Sequence, residues 1–216
     1  MTLKQKNGIL IDPLTFSPMY VNSYRKADQP PQFRSPEANG GVFLTKGRNM
    51  SSAEIGQKIP SFKLLTSHGQ TISLQDFVGK KNVVLYFYPK DDTPGCTKEA
   101  CGLRDVFKQI EKQDTVILGV SPDGIKSHQA FIEKYQLPFT LLSDEDHKLA
   151  EAFGVWVEKN MYGRKYMGIA RTTFIIGKDG KIVHIFPKVS PDGHEKEVLE
   201  VLKEMSTTFS TRNPKK

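Results

Sequence analysis

The chain has 216 residues, of which 38% are hydrophobic and 25% charged, and its formal net charge at pH 7 is +7. These values suit a globular protein of one ordinary domain plus extra chain. No apolar run approaches the ~18 residues of a membrane span, and the basic residues form no cluster of the kind that binds nucleic acid, so neither a membrane nor a nucleic-acid partner is expected.

Residues 1–49 differ in composition from the rest of the chain. The stretch NSYRKADQPPQFRSPEANGG is rich in Pro, Gly, Ser and Asn and has no sustained apolar period, so it is unlike a folded core. The first residues, MTLKQKNGILIDPLTF, lack the apolar core of a secretory signal. We expect a low-order N-terminal extension over residues 1–49, with a flexible tail, a targeting segment and translated upstream sequence as the open alternatives.

From Met50 onward the pattern predicts regular structure. SFKLLTSHGQTISL reads as two short strands around a His-Gly turn. NVVLYFYP, residues 82–89, is a continuous apolar run of strand length, typical of a strand buried on both faces. CTKEACGLRDVFKQIEKQ then predicts one helix, because its apolar residues fall at three- and four-residue spacing.

The second half repeats this alternation. TVILGVS, residues 115–121, predicts a buried strand and IKSHQAFIEKYQ a helix; FTLLSD predicts a strand and EDHKLAEAFGV a helix. TTFIIGKDGKIVHIF predicts a hairpin and HEKEVLEVLKEM a closing amphipathic helix. The order implies an α/β domain over residues 50–205 with antiparallel strands added at one side, followed by a basic tail over residues 206–216.

Both cysteines of the chain, Cys96 and Cys101, lie directly after the first buried strand. Two cysteines form no disulfide framework, so they indicate reactive thiols in a reducing compartment, and a cytoplasmic location is expected. Thr93 is a suitable helix cap and Pro94 suits the first helical position. Cys96 would then lie in the first helical turn, where free N–H groups and the helix dipole stabilise a thiolate.

Cys101 lies five residues further along the predicted helix. In a regular helix the two Cα atoms would be about 8.6 Å apart, beyond the ~7 Å that a disulfide spans. A Cys96–Cys101 disulfide therefore requires the first turns to unwind, which Gly102 would ease. The pair is typical of a switchable dithiol rather than of a permanent cross-link.

Other interpretations of the two cysteines remain open at this point. Both could be small buried apolar residues. A zinc site is disfavoured because it needs four ligands, and His128 and His147 are isolated in helical segments. The C-x4-C spacing differs from the C-x-x-C of a general dithiol exchanger. Composition and spacing thus favour a thiol-based redox enzyme without naming its substrate.

The segment FYPKDDTPGCTKEAC closely resembles the active-site signature of peroxiredoxins, specifically their bacterioferritin-comigratory (Prx Q) group. Pro89, Thr93 and Cys96 meet the family pattern P-x3-T/S-x2-C. Similarity extends through IGQKIPSFKLLTSHGQTISLQDFVGKKNVVLYFYP, LLSDEDHKLAEAFGVW and GIARTTFIIGKDGKI, which carries the family arginine as Arg171. The resemblance covers about residues 54 to 205.

This resemblance implies the roles of the site residues. Cys96 would be the peroxidatic cysteine and Cys101 the resolving cysteine of the same helix. Arg171 would stabilise the thiolate and the peroxide oxygens, and Thr93 would hydrogen-bond both. Pro89 would limit solvent near the sulfur, and the N–H groups of Gly95 and Cys96 would bind the distal oxygens. Glu99 resembles a positioned family acid, although an exposed helix residue is the alternative.

The resemblance also implies a thioredoxin-like fold with an N-terminal β-hairpin, and a monomer. The expected activity is reduction of hydrogen peroxide and organic hydroperoxides to water and alcohols, with thioredoxin or a similar dithiol as the reductant and with no cofactor or metal. Arg171-Thr172-Thr173 stands where thioredoxins place a cis-proline, which separates this chain from the dithiol reductases. The alternatives are a thiol–disulfide oxidoreductase and a non-enzymatic redox sensor or chaperone-like module.

Overall fold

A computed structural model describes residues 53–212 of the chain. The predicted N-terminal extension, residues 1–49, and the end of the predicted tail, residues 213–216, lie outside the described residues. Within the described part, no helix is long and apolar enough to cross a membrane.

The described residues form nine strands and five helices. The strands are β1 (Lys63–Thr66), β2 (Thr71–Ser73), β3 (Asn82–Phe87), β4 (Thr115–Ser121), β5 (Thr140–Ser143), β6 (Trp156–Met161), β7 (Arg164–Ile169), β8 (Thr172–Ile176) and β9 (Ile182–Pro187). The helices are α1 (Pro94–Asp105), α2 (Phe107–Glu111), α3 (Ile125–Tyr135), α4 (Lys148–Ala152) and α5 (His194–Arg212), and a 3₁₀ turn spans Leu74–Phe77.

Seven strands form one mixed sheet in the order β2-β1-β5-β4-β3-β8-β9. The two buried apolar runs predicted from the sequence are its central strands, β3 and β4, which pair in parallel. β8 and β9 add antiparallel strands on one side, and the N-terminal hairpin β1–β2 joins the other side through β5. The predicted α/β architecture is confirmed, and it is a thioredoxin-like fold.

Residues of β3 alternate between two hydrophobic cores, one on each face of the sheet. Val83, Leu85 and Phe87 pack on the face that carries α4 and the β6–β7 hairpin. Val84, Tyr86 and Tyr88 pack on the opposite face against helices α1, α2, α3 and α5. This alternation fixes which face of the sheet receives α1, and with it the cysteines.

One edge of the sheet is short and the other is covered at its first residue. β2 has only three residues. At the other edge, β9 begins under a segment of residues 56–59, where Gly56 N–H donates to the Ile182 carbonyl (2.7 Å) and Ile182 N–H donates to the Gln57 carbonyl (2.9 Å). β9 ends at Pro187, which has no N–H to offer a further strand.

The structure differs from the sequence prediction at three places. The single helix predicted after Cys96 is two helices, because the backbone at Val106 leaves helical geometry (φ −103°, ψ 4°). The β6–β7 hairpin was not predicted, although Tyr162-Gly163 supplies its turn, with both residues at positive φ. The closing helix α5 continues past Met205 into the predicted tail.

Two hydroxyl groups bond to the helix backbone where α5 enters the predicted tail. Ser206 and Thr207 are weak helix formers, but their hydroxyls donate to the carbonyls of Leu202 and Lys203, each four residues earlier (3.0 Å both). Ser206 also bonds Gln113 at the end of α2 (2.5 Å). Helix α5 runs to Arg212, so the residues predicted as tail begin as helix.

Candidate active site

The register of the sheet brings two distant segments of the chain together. β3 pairs antiparallel with β8 so that Phe87, the last residue of β3, faces Thr172, the first residue of β8. Cys96 follows β3 after a short loop, and Arg171 immediately precedes β8. The two residues, 75 positions apart, therefore meet at the same end of the sheet.

Cys96 lies in the first turn of α1, as predicted. The helix begins at Pro94, so Cys96 is its third residue. Its side chain is only 2% exposed and packs in the apolar cluster that includes Tyr86 and Ala100. N–H groups in a first helical turn lack partners within the helix and stabilise a nearby anion.

Thr93 occupies the cap position, but its side chain does not cap the helix. Its hydroxyl donates to the carbonyl of Lys90 (3.0 Å). The predicted cap position of Thr93 is therefore confirmed, but its hydroxyl bonds to the preceding loop instead of to the helix. The first-turn N–H groups consequently receive no bond from Thr93.

Arg171 connects the sulfur to a buried carboxylate. One terminal nitrogen, Nη2, lies 3.2 Å from Cys96 Sγ, and the other, Nη1, forms an ion pair with Glu99 Oε2. The Arg171 side chain is 15% exposed. Burial opposes its charge, but the two neighbouring acids, Glu99 and Cys96, outweigh burial and raise the pKa of Arg171. The planar fork thus contacts both groups at once.

Glu99 is the most deeply buried acid of the site. Its side chain is fully buried, and this burial raises its pKa to about 7, against the opposing charge and hydrogen bond of Arg171. Its second oxygen, Oε1, has no hydrogen-bond partner among the described residues. The alternative of an exposed helix residue is wrong: Glu99 faces Arg171.

Gly95 and Pro89 shape the surroundings of the sulfur. A Cβ on Gly95 would lie 3.3 Å from Arg171 Nη2 and 3.6 Å from Pro191 Cγ, so glycine permits the close approach of the guanidinium. Pro89 is half-buried and follows Tyr88, whose N–H donates to the Val120 carbonyl (3.0 Å). Since proline has no N–H, pairing with β4 ends there and the chain turns toward α1.

Cys101 lies in the same helix as Cys96 but is not part of this cluster. Both thiols are free, and Cys101 is half-buried whereas Cys96 is buried. Both belong to the regular helix α1, for which a five-residue separation means about 8.6 Å between Cα atoms. The predicted helix placement is confirmed, and the structure corresponds to the wound, reduced state.

Lys159 is a site residue that the sequence analysis missed. It lies on β6, where its stem packs over Gly168 (3.5 Å from a Cβ placed there) and its Nζ donates to the Ile169 carbonyl (2.5 Å). Burial and then the charge of Arg171 lower the pKa of Lys159. The sequence signal that could have located Lys159 is the turn Tyr162-Gly163. This turn predicts the β6–β7 hairpin, which brings Lys159 close to the end of β7 and so to Arg171.

The two histidines predicted to be isolated, His128 and His147, lie outside the site. His128 is fully buried beneath the loop before α1, and His147 stacks on Trp156 (ring centroids 3.8 Å apart). Within residues 53–212, no group of three or more His, Cys, Asp or Glu side chains is arranged to hold a metal ion.

This arrangement provides a nucleophilic sulfur with a fixed positive charge beside it. The guanidinium and the first-turn N–H groups would stabilise negative charge on the sulfur and on an oxygen that approaches it. The second thiol, that of Cys101, lies about one and a half helical turns further along α1.

Comparison with known proteins agrees with this geometry. The sequence profile of the AhpC/TSA family matches residues 55–185. The chain is 58% identical over 148 residues to a putative peroxiredoxin bcp of Coxiella burnetii, covering 68% of this chain and 97% of the relative. It is 52% identical over 153 residues to the peroxiredoxin Bcp of Bacillus subtilis, covering 71% and 97%.

A solved structure of the bacterioferritin comigratory protein of Xanthomonas campestris, described in terms of its alkyl peroxide reduction activity, superposes with a TM-score of 0.64 at 41% identity, covering 67% of this chain and 91% of that one. The profile match spans more than half of the chain and the identities are high over almost the whole length of the relatives. The chain therefore belongs to the AhpC/TSA family, within its Bcp or Prx Q peroxiredoxins.

Proposed function

We propose that this protein is a thiol-dependent peroxidase in which Cys96 reduces hydrogen peroxide and organic hydroperoxides. The observation that carries the proposal is the Arg171 guanidinium, 3.2 Å from a buried cysteine sulfur in the first turn of a helix. Its membership of the peroxiredoxins and the alkyl peroxide reduction by its Xanthomonas relative support the same activity.

The first step is a displacement at the O–O bond. The Cys96 thiolate attacks one peroxide oxygen, the O–O bond breaks, and Cys96 becomes a sulfenic acid. The other oxygen leaves as hydroxide or alkoxide and takes up a proton to give water or an alcohol. Arg171 and the N–H groups of Gly95 and Cys96 bind the peroxide oxygens as charge moves onto them. The Thr93 hydroxyl, whose O–H donates to the Lys90 carbonyl, accepts a hydrogen bond from the peroxide, while Pro89 limits solvent near the sulfur.

The second step uses Cys101. Its thiol attacks the Cys96 sulfur and displaces the sulfenic oxygen as water, which leaves an intrachain Cys96–Cys101 disulfide. Helix α1 unwinds to bring the Cα atoms from about 8.6 Å to the ~5.5–6 Å of a disulfide. A dithiol reductant, thioredoxin or a similar protein, then restores both thiols. In the net reaction the peroxide oxidises the reductant's dithiol to a disulfide; hydrogen peroxide yields two molecules of water, and an organic hydroperoxide yields one alcohol and one water.

We further propose that the protein works as a monomer in the cytoplasm. Supporting this, both cysteines of one chain suffice for the cycle, and both are free thiols, which suits a reducing compartment.

The test is a coupled assay with NADPH, thioredoxin reductase, thioredoxin and hydrogen peroxide. The wild-type protein is expected to consume NADPH only when peroxide is present, and Cys96→Ser is expected to abolish this. Cys101→Ser is expected to keep the first oxidation but to lose recycling, so mass spectrometry should find Cys96 as sulfenic and then over-oxidised acid. Cys96 that stays unmodified in Cys101→Ser would contradict the assignment, and insulin reduction without peroxide would favour a thiol–disulfide oxidoreductase.

Arg171→Lys provides a second test within the same assay. Lysine keeps the positive charge but lacks the planar fork that contacts Cys96 and Glu99 together. The rate constant for Cys96 oxidation by peroxide is therefore expected to fall about 100-fold, the usual cost of losing one well-placed donor to a developing oxyanion. The rate of disulfide reduction by thioredoxin should remain close to that of the wild type.

A further inference from the structure

A polar cluster whose centre is buried lies beneath the loop that joins β3 to α1. We call it the loop clamp; its residues are Tyr88, Asp91, Asp123, Ser127 and His128. His128 is 0% exposed and Asp91 is 6% exposed. Buried polar groups of this kind are costly unless their hydrogen bonds are satisfied.

Asp91 is the centre of the loop clamp. Its carboxylate accepts hydrogen bonds from the Tyr88 hydroxyl (2.7 Å) and the Ser127 hydroxyl (2.7 Å), and His128 Nδ1 lies 2.8 Å from Oδ2. Because a carboxylate only accepts, His128 donates through Nδ1. Burial would raise the pKa of Asp91, but the bonds from His128, Tyr88 and Ser127 outweigh burial and lower it. Asp91 is thus held as a carboxylate.

The backbone of the loop is also fixed. The N–H of Asp91 donates to Asp123 Oδ2 (2.7 Å), which also accepts from the Ser121 hydroxyl (2.8 Å) at the end of β4. The next residue, Asp92, adopts a positive φ of 54°. Its carboxylate accepts from Lys134 (2.7 Å) and Tyr135 (2.6 Å) of α3. These bonds fasten the loop to β3, β4 and α3.

The fixed loop leads directly into the active site. Thr93 follows Asp92, and its hydroxyl donates to the carbonyl of Lys90 within the same loop. The loop clamp therefore determines where Thr93 and the first turn of α1 lie relative to the central strands. Within residues 53–212, none of its side chains forms a hydrogen bond with Cys96, Glu99 or Arg171, although Tyr88 and Cys96 belong to the same apolar cluster.

We propose that Asp91 and His128 are positioning residues for the peroxide step, holding the loop still so that Thr93 and the first turn of α1 return to one place after every unwinding. This inference rests on the proposed function, because only a helix that unwinds in each cycle needs a fixed starting point. A displacement of about 1 Å at reacting groups can cost 100-fold in rate. The loop clamp would thus separate the part of the chain that moves from the part that does not.

The choice of variants follows from the hydrogen bonds of His128. Its Nδ1 carries the bond to Asp91, whereas Nε2 is buried and has no partner among the described residues. Asparagine places its amide nitrogen close to the Nδ1 position, so His128→Asn keeps the donor, and His128→Leu removes it. Phe131→Leu serves as the matched control, since the buried ring of Phe131 on α3 packs on the Tyr88 ring (centroids 6.3 Å apart) but makes no polar contact with the loop. It therefore disturbs the apolar packing of the loop clamp and leaves its hydrogen bonds in place.

The experiment measures the rate constant for Cys96 oxidation by hydrogen peroxide, the rate of disulfide reduction by thioredoxin, and thermal stability. We expect His128→Leu to slow peroxide oxidation at least about tenfold, with disulfide reduction unchanged, and His128→Asn to restore the oxidation rate. Phe131→Leu should lose stability but keep the oxidation rate. Ser127→Ala, which removes one bond to Asp91 and leaves the fold intact, should give a smaller loss in the same step.

The outcomes separate this inference from the proposed function. If wild-type Cys96 reacts with peroxide but His128→Leu and Ser127→Ala react no more slowly than Phe131→Leu, the loop clamp is only a stabilising cluster and the inference is wrong. A His128→Asn protein as slow as His128→Leu would also overturn it. If wild-type Cys96 does not react with peroxide at all, the proposed function fails and this inference fails with it.

Discussion

At the scale of single residues, the site is distinguished by one arginine that contacts two acidic groups, a thiol and a carboxylate. Arg171 contacts the Cys96 sulfur through one nitrogen and the Glu99 carboxylate through the other. Glu99 therefore both orients the guanidinium and competes for its charge. A buried carboxylate whose pKa is near neutrality makes the balance between these two roles depend on pH.

The titration of Glu99 predicts a measurable effect on stability. Its pKa is about 7 in the folded protein and near 4.5 when solvated, so between these values the folded state holds a proton that the unfolded state has released. Stability must then decrease as pH rises through this window. Glu99→Gln has no carboxyl to titrate at this position. We therefore subtract the free energy of unfolding of Glu99→Gln from that of the wild type, and we expect this difference to fall by about 3 kcal/mol from pH 4.5 to pH 8.

Urea unfolding of both proteins at several pH values measures this difference. Groups common to the two proteins cancel, including His194, whose pKa is lowered by burial. A difference that stays constant or rises with pH would show that Glu99 is ionised throughout, as an ordinary ion pair with Arg171.

At the scale of elements, helix α1 contains the nucleophile Cys96 and is also the helix that unwinds in the proposed second step. Its outer side packs against the loop before α5, where Pro191 lies against Gly95 and Asp192 pairs with Lys98, and against the first turn of α5, where Glu195 lies against Gly102. The pair between Lys98 and Asp192 is exposed and so contributes little to stability. The inner side of α1 places Cys96, Ala100 and Leu103 in the apolar cluster shared with α5, so unwinding of its first turns removes part of that cluster.

Hydrogen exchange is expected to show this division. In the disulfide form, exchange in residues 93–105 should rise sharply, while residues 82–89 and 115–121 stay protected, because the cross-link breaks helical hydrogen bonds but leaves β3 and β4 paired. The comparison is between the reduced protein and the protein oxidised with one equivalent of peroxide. Equal exchange in the two forms would mean that the cysteines bridge without unwinding.

Sequence patterns predicted the elements whose signal is local. The apolar runs of β3 and β4 and the three- and four-residue spacing of Leu103 and Phe107 reflect burial and indicate the correct elements. Val106 breaks that helix although its spacing fits, because the turn there depends on tertiary packing rather than on the residue. Strand β7 was missed because most of its side chains are exposed and give no apolar signal.

The same distinction applies to the active site. Cys96 and Thr93 could be located by their position after a buried strand and before a helix. The ion pair between Arg171 and Glu99 could not, because it depends on the antiparallel register of β3 with β8, which joins residues 72 positions apart. His128 was interpreted as an isolated histidine for a similar reason: its partner Asp91 lies 37 residues away.

At the scale of the whole molecule, the described residues contain both hydrophobic cores. The members of the two clusters lie between Ala53 and Met205. A domain that begins near Met50 should therefore have everything it needs to fold.

Removal of residues 1–49 tests this. A chain that begins at Met50 is expected to unfold in one transition, with a midpoint within about 2 °C of the full chain, which corresponds to less than about 1 kcal/mol for a domain of this size. Its rate constant for Cys96 oxidation should match that of the full chain. A large drop in the midpoint would show that the N-terminal segment contributes to the fold, and the predicted domain boundary would then be wrong.

The short and covered edges of the sheet have a consequence for self-association. In the proposed cycle the opening of α1 transiently exposes the apolar residues beneath that helix, a state in which many proteins aggregate. Aggregation by strand addition needs a free edge, but β2 offers three residues and β9 lies partly under residues 56–59 and ends in a proline. The seven-stranded sheet therefore offers a neighbouring copy only short stretches of free edge, namely the three residues of β2 and the part of β9 between Ile182 and Pro187, which limits growth by strand addition.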